Sequence, residues 1–250
     1  MSGVYNGGSG LEQSLKAILF DVDGTLADTE EAHRTSFNRA FHDQGLEWHW
    51  DVPLYGELLK VTGGKERIRH FVETRLDQPP AGFSDDFVKM LHQAKTRHYT
   101  TLMAQGDVPL RPGIERLIRD AHAAGLVLAI ATTTTEENVS ALLQASLGLR
   151  WQQYFAEVGC GDVVPHKKPA PDIYHWVLDR IGLAPSSCIA LEDSNNGLRS
   201  SLAAGIRTVV TVNAYTRHQD FTGALAVLDD LADLGPFYAL TGLKLLPVSH

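Results

Sequence analysis

The chain has 250 residues, 44% hydrophobic and 21% charged, with a formal net charge of −8. That length can bury a substantial core, as one large domain or as a domain carrying an insertion, and the acidic balance argues against nucleic acid or an anionic membrane as partner. No apolar run approaches the roughly 20 residues that a bilayer crossing needs. Two cysteines, Cys160 and Cys188, are too few for a disulfide framework and lack metal-ligand spacing, so a reducing cytoplasm is the expected compartment.

Met1 to Gly10 are small and polar, without the charged start and apolar centre of a secretory signal, and read as a disordered leader. Ala17-Ile18-Leu19-Phe20 is an apolar strand, and directly behind it stands Asp21-Val22-Asp23-Gly24-Thr25. Two carboxylates two residues apart, where a strand ends in a turn, can reach one site at the carboxyl edge of a sheet. One can attack an electrophile while the other handles protons, and their shared charge calls for a divalent cation. A lone Asp-x-Asp is more often a surface turn; the apolar strand before it moves this pair toward chemistry. Gly24 lets the chain turn away, and the Thr25 hydroxyl can hold that turn.

Residues 28 to 104 show helical patterns over Glu31 to Gln44, Pro53 to Val61, Lys65 to Leu76 and Ser84 to Met103, and no convincing strand. They read as a helical cap domain inserted over the active edge of a core formed by 1–27 and 105–250, with hinges near Ala27 and near Gly106 to Pro109. From residue 105 strands and helices alternate. A helix opens at Pro112-Gly113, carries Ile114, Leu117 and Ile118, and stops at Gly125. Leu126 to Ala131 is a strand, Asn138 to Leu147 a helix, Phe155 to Val158 a short strand, and Pro171 to Ile181 a helix closed by Gly182. Cys188 to Leu191 is a buried strand, Asn195 to Ala204 a helix, and Ile206 to Val212 a β-branched strand. Residues 235 to 250 show no clear pattern. The alternation predicts an α/β fold, a Rossmann-like parallel sheet core with helices on both faces, whose ligands bind at the carboxyl ends of the strands.

Asp21, Thr132 and Asp193 all stand at such strand ends. The hydroxyls and N–H groups of Thr132-Thr133-Thr134-Thr135 can cradle a phosphoryl group without adding charge; a Thr-rich strand end is the ordinary alternative. Lys168 is followed by Pro169-Ala170-Pro171, which stiffens the backbone after it and suits pairing with an attacking carboxylate and a phosphate; a surface lysine is the ordinary alternative. Glu192-Asp193 precedes Ser194-Asn195, so capping of the next helix could explain one carboxylate but not both. Oxygen ligands of this kind suit Mg²⁺.

The series Asp21-x-Asp23-Gly24-Thr25, Thr132, Lys168-Pro169 and Glu192-Asp193 resembles the four signature motifs of the haloacid dehalogenase-like superfamily, from Ala17 to about Val212. Lys168-Pro169-Ala170-Pro171-Asp172 and Leu191-Glu192-Asp193-Ser194 resemble the branch holding β-phosphoglucomutase and sugar-phosphate phosphatases. Ala27-Asp28-Thr29-Glu30-Glu31-x-His33-Arg34 and Thr62-Gly63-Gly64-Lys65-Glu66-Arg67-Ile68 are similar to the CbbY phosphatases. The resemblance implies removal of a phosphate from xylulose 1,5-bisphosphate, an inhibitor of Rubisco, and so a place beside the Calvin cycle. It implies Asp21 as nucleophile and Asp23 as acid and then base. It further implies Mg²⁺ on Asp21, the Asp23 main-chain carbonyl, Asp193 and, directly or through water, Glu192, with Thr132, Thr133 and Lys168 on the transferring phosphoryl. The acid at the second motif position argues against the dehalogenases that name the superfamily.

Glu30 and His33, just past the catalytic loop, could contact sugar hydroxyls; a solvated first helical turn is the alternative. Lys65 and Arg67 follow a Gly-Gly turn at a helix start, where positive charge is slightly unfavourable, and so hint at an anion; a surface pair is the alternative. Lys95 and Arg97 look like basic residues scattered on a helix face. The CbbY resemblance implies that Glu30, His33, Lys65, Arg67 and Lys95 line the substrate pocket. Trp48 and Trp50 are expected to pack the cap, His98 to be exposed and Cys188 to be buried. The expected working unit is a monomer acting on a small-molecule sugar phosphate, with neither nucleic acid nor membrane as partner. A phosphomutase is the nearest rival, and a non-catalytic sugar-phosphate sensor is a rival of another class that could dispense with Asp21 or Asp23.

Overall fold

The structure, a computed structural model, describes residues 14–243; the leader expected over Met1 to Gly10 and the end of the chain beyond 243 lie outside the described residues. Six parallel strands make one sheet: β1 (Ala17–Phe20), β2 (Val127–Ala131), β3 (Glu157–Gly159), β4 (Cys188–Glu192), β5 (Arg207–Thr211) and β6 (Ala226–Leu228). Their order is β3-β2-β1-β4-β5-β6, so the direction of strand addition reverses beside β1, where open α/β sheets form their ligand crevice. Phe20 pairs with both Ile130 and Leu191, so the residues after β1, β2 and β4 leave the sheet at one height.

Alternate residues of β1 serve opposite faces. Ile18 and Phe20 join a cluster with Leu117 and Ile118 of α5 (Ile114–Ala123) and Val139, Leu142 and Leu143 of α6 (Glu136–Leu147). Ala17 and Leu19 pack instead with Ile173, Tyr174 and Val177 of α7 (Asp172–Ile181) and with Ile206, beyond α8 (Asn195–Ala203). Burying one such leucine contributes about 1.5–3 kcal/mol.

Between β1 and α5 run α1 (Glu30–Asp43), α2 (Val52–Leu58), α3 (Gly64–Arg75) and α4 (Asp85–Ala104), the inserted helical cap. Their shared core is aromatic: Phe37, Phe41, Trp50, Tyr55 and Phe71 are buried together, and Trp48 packs against them. Several of the rings meet at steep angles, as between Phe41 and Trp50 at 4.9 Å and 72°. The end of α4 leaves this cluster, because Tyr99 and Met103 join the cluster under the sheet. Ala27 bridges Leu110 where the chain enters and leaves the cap. Next to that bridge, buried Arg111 donates to the carbonyls of Gly24 (2.6 Å), Thr211 (3.0 Å), Val212 (2.6 Å) and Asp229 (3.0 Å), tying the crossing point to the strand ends.

Several sequence expectations need correction. The third strand starts at Glu157 rather than Phe155, because Trp151–Tyr154 is a short 3-10 turn. Pro171 stands before the first turn of α7, not in it. β6 and α9 (Gly235–Thr241) are additional elements. His98 is only partly exposed, because it bonds Asp43 at 2.7 Å. Cys160 and Cys188 are both free and buried. Among the described residues no helix is long and apolar enough to cross a membrane.

Candidate active site

A cavity of about 450 Å³ lies between the strand ends and the cap. Its floor is built from β1, β4 and the turn before α7. Asp21 leaves β1 with its N–H bonded to the Leu191 carbonyl at 3.0 Å, so backbone pairing aims the side chain. Its Oδ1 accepts from Lys168 Nζ at 2.7 Å and its Oδ2 from Thr25 at 3.1 Å. Lys168 Nζ also donates to Glu192 Oε1 at 2.7 Å, and Tyr174 donates to the same oxygen. Glu192 Oε2 is buried without a hydrogen-bond partner. Asp193 Oδ2 accepts from Asn213 Nδ2 at 2.7 Å.

Two glycines make room for this crowd. Gly24 has φ +78°, and a Cβ there would come within 2.3 Å of Asp193 Oδ2. A Cβ at Gly197, in the first turn of α8, would meet Glu192 Oε2 at 1.9 Å. Ser194, whose side chain accepts from the Gly197 N–H, is the cap of α8, which frees both Glu192 and Asp193 from that task.

Asp21 and Glu192 thus share one lysine, and Asp193 stands beside them without it. Burial pushes Asp21 and Asp193 above the usual carboxylate range and Glu192 up to about 7, although Lys168 pulls Asp21 and Glu192 the other way. Burial alone would lower Lys168, but Asp21 and Glu192 outweigh it and hold the ammonium above its ordinary value. Ligand oxygens of Asp21, Glu192 and Asp193 lie within 4.8 Å of one another. An orphaned carboxylate oxygen and an excess of buried negative charge fit a hard divalent cation with oxygen ligands.

Asp23 points to the cap. Its Oδ1 accepts from Thr29 at 2.6 Å and meets His33 Nε2 at 2.7 Å, while His33 Nδ1 meets Lys95 Nζ at 2.5 Å. For both His33 contacts to be hydrogen bonds, the neutral ring carries its proton on Nε2. The ring also stacks on Tyr99 at 4.2 Å. Burial works to raise Asp23, yet His33 and Thr29 overcome it and hold this carboxyl well below its usual range. Burial lowers His33 to about 4 against the pull of Asp23, and lowers Lys95 to about 7. His33 and Lys95 both line the cavity, as expected of pocket residues, while His33 also makes two bonds inside the protein and Lys95, expected on a helix face, is 3% exposed.

Elsewhere on the cap wall, Glu30 accepts from Tyr55 at 3.1 Å, and burial pushes it up to about 7 despite nearby Arg67. Arg67 donates to the Tyr55 hydroxyl (3.0 Å) and to the carbonyls of Leu58 (3.2 Å) and Val61 (3.3 Å), and it faces the cavity. Lys65 does not; its ammonium bonds Asp162 at 3.0 Å, across the junction between cap and core. Thr133, Thr134 and Thr135 line the cavity, while Thr132 lies buried beneath them and accepts the Thr134 N–H at 3.3 Å. Arg97 is exposed on the outer side of α4.

Sequence reasoning missed Asn213, Tyr174 and His92. Asn213 stands two residues past the end of β5, near the strand end as Asp193 is at β4, so its position was a usable signal. His92, Lys95 and Tyr99 share one face of α4 at i, i+3 and i+7, a spacing visible in the sequence. His92 is buried on the cavity wall, and burial together with Lys95 lowers its pKa to about 3. Tyr174 carried no local signal.

A family model for haloacid dehalogenase-like hydrolases matches residues 15–205. The CbbY protein of Cupriavidus necator is 52% identical over 220 residues, 88% of this chain and 87% of that protein. The crystal structure of CbbY from Rhodobacter sphaeroides in complex with phosphate has a TM-score of 0.84 and 48% identity, covering 88% of this chain and 96% of that one. A mutant of that protein in complex with xylulose 1,5-bisphosphate matches with the same TM-score of 0.84 at 47% identity. The chain belongs to the haloacid dehalogenase-like hydrolases and, within them, to the CbbY proteins.

Proposed function

We propose that this chain is a Mg²⁺-dependent sugar-bisphosphate phosphatase working through an aspartyl-phosphate on Asp21, with xylulose 1,5-bisphosphate as substrate. The observation that carries the reading is the meeting of Asp21, Lys168, Glu192 and Asp193 on one floor of a cavity whose opposite wall holds Arg67 and Lys95. Xylulose 1,5-bisphosphate is taken from the complex of the Rhodobacter sphaeroides relative.

Asp21 attacks phosphorus, and the bond to the sugar oxygen breaks as the carboxylate–phosphate bond forms. Asp23 supplies a proton to the departing oxygen and afterwards takes one from the water that cleaves the aspartyl-phosphate. In the free site His33 keeps Asp23 ionised; the negative charge of an arriving phosphate opposes that and favours the acid form. His33, locked between Asp23 and Lys95, holds the acid in place. Lys168 balances charge on the phosphoryl oxygens, and Thr133 to Thr135 offer hydroxyls and N–H groups. Asp21, Asp193, the Asp23 carbonyl and Glu192, directly or through water, would hold Mg²⁺, which when bound neutralises charge on the phosphoryl group. Residues 28–104 act as the cap, hinged near Ala27 and near 106–109, and Glu30 and Arg67 meet the sugar and its second phosphate. The working unit is a cytoplasmic monomer.

The test is phosphate release, with Mg²⁺, from a panel of mono- and bisphosphorylated pentoses and hexoses. The expected result is a strong preference for xylulose 1,5-bisphosphate. Equal rates on mono- and bisphosphates would remove the substrate assignment, and no release from any of them would remove the activity.

A further inference from the structure

One contact between the core and the cap has the geometry of a spacer. The segment 58–62, which leaves α2 and leads into α3, is held from two sides. From the cap, Arg67 grips the carbonyls of Leu58 and Val61 at 3.2 and 3.3 Å. From the core, Asn196 Nδ2 donates to the Lys60 carbonyl at 3.1 Å and to the Thr62 hydroxyl at 3.0 Å. Asn196 lies three residues after Asp193, on the first turn of α8. That turn is itself braced: the Asn195 N–H bonds Gln219 Oε1 at 2.7 Å, and Asn195 Nδ2 bonds the Asp220 carbonyl at 2.6 Å. A continuous chain of contacts therefore runs from the strand end that carries Asp193, through Asn196 and the 60–62 segment, to the guanidinium of Arg67.

We infer that Asn196 is a positioning residue that sets the distance between the reacting centre and Arg67, and so selects substrates by the separation of their two phosphate groups. This rests on the sugar-bisphosphate reading above. A substrate with one phosphate uses the floor of the site alone, whereas a bisphosphate must reach both ends, so a slack segment penalises only the second. Losing two neutral hydrogen bonds should cost roughly tenfold in that discrimination.

The experiment is a double-mutant cycle of Asn196→Ala and Thr62→Val, read as the ratio of kcat/KM on xylulose 1,5-bisphosphate to that on p-nitrophenyl phosphate. Asn196→Ala should lower the ratio about tenfold and Thr62→Val about threefold, and the double variant should fall no further than Asn196→Ala. Amide hydrogen exchange across residues 60–67, measured on the chain without substrate, should quicken in Asn196→Ala. An unchanged ratio, equal losses on both substrates, or additive losses in the double variant would overturn the assignment, as would unchanged exchange. If the parent chain shows no preference for the bisphosphate, the substrate reading fails by itself, and the exchange measurement still decides the role of Asn196.

Discussion

The floor and the cap wall of the cavity bury ionisable groups in opposite senses. On the floor, Asp21 and Glu192 hold Lys168 with Asp193 beside them, and burial drives the carboxyls toward their neutral forms. On the cap wall, burial drives His33 to about 4, His92 to about 3 and Lys95 to about 7, again toward neutrality. Each wall is therefore short of the charge the other kind of partner brings. The floor asks for a cation and the cap wall for an anion, and a metal with a phosphorylated sugar supplies both. Glu30, raised to about 7 among these bases, is the exception on the cap side and fits a sugar hydroxyl better than a phosphate.

The comparison breaks most visibly at the floor. Asp21→Asn removes the nucleophile with hardly any change of shape and should lower kcat by at least roughly 10⁴-fold, with native circular dichroism. Near-parental turnover in a folded Asp21→Asn variant would sink the mechanism. Removing the cation should be as severe but reversible. Activity should vanish in EDTA and return with Mg²⁺, and Ca²⁺ should inhibit because it prefers a looser, higher coordination. Full activity in chelator would mean that the buried carboxylates serve another end.

On the cap wall, Arg67→Ala should cost roughly ten- to a hundredfold in kcat/KM on xylulose 1,5-bisphosphate, from loss of a charge-assisted contact. The same variant should lose far less on p-nitrophenyl phosphate. Equal losses would place Arg67 in cap folding instead, through its grip on Leu58 and Val61.

The same contrast explains which parts of the molecule were legible in the sequence. β1 and β2 are apolar runs followed at once by Asp21 and Thr132, the apolar part of β4 runs into Glu192-Asp193, and parallel register alone brings these ends together. The floor was readable because its geometry comes from short-range pattern plus one topological rule. β6 was not, since three residues at a sheet edge leave no period to detect. The cap helices were readable to within a few residues, but their chemistry was not. Lys95 looks like a surface lysine until α4 packs on α1 and sets it against His33. Lys65 reads as a phosphate ligand, and only the fold sets the core's Asp162 beside it. In both cases the deciding partner is distant in sequence, and composition carries no trace of it.

The buried bases also give the cap a pH dependence that the floor does not share. His92 takes a proton near its ordinary value of 6.5 when unfolded but only near 3 when folded. Between those values the unfolded state binds the extra proton, so stability falls as pH drops from 6.5 toward 3. The contribution at about pH 5 is roughly 2 kcal/mol relative to neutral pH. His92→Gln should remove that part of the acid sensitivity, seen as a smaller drop in the urea midpoint between about pH 7.5 and pH 5 followed by tryptophan fluorescence; the urea slope is proportional to the surface exposed. Trp48 and Trp50 report the cap directly. An unchanged drop would show that the imidazole is hydrated in the folded chain.

Lys65 offers the smallest effect and the sharpest choice between two readings of the Gly63-Gly64 turn. Its ion pair with Asp162 is part-exposed at both ends, the two side chains being 30% and 61% accessible. Pairs of that kind contribute about 0–1 kcal/mol, because water and salt screen them and ordering two long side chains costs entropy. Lys65→Ala should therefore lower kcat/KM on xylulose 1,5-bisphosphate by less than about fivefold, well short of Arg67→Ala. Added salt should shrink the difference from the parent further. Asp162→Asn supplies the complementary reading. If the ammonium merely bridges cap and core, the two variants should show the same small loss and a double variant no more. If Lys65 instead leaves Asp162 for the second phosphate when substrate arrives, Asp162→Asn should raise the efficiency on the bisphosphate while Lys65→Ala lowers it more than Arg67→Ala does. That pattern would move the second-phosphate site two residues toward the start of α3 and return the leading role to Lys65.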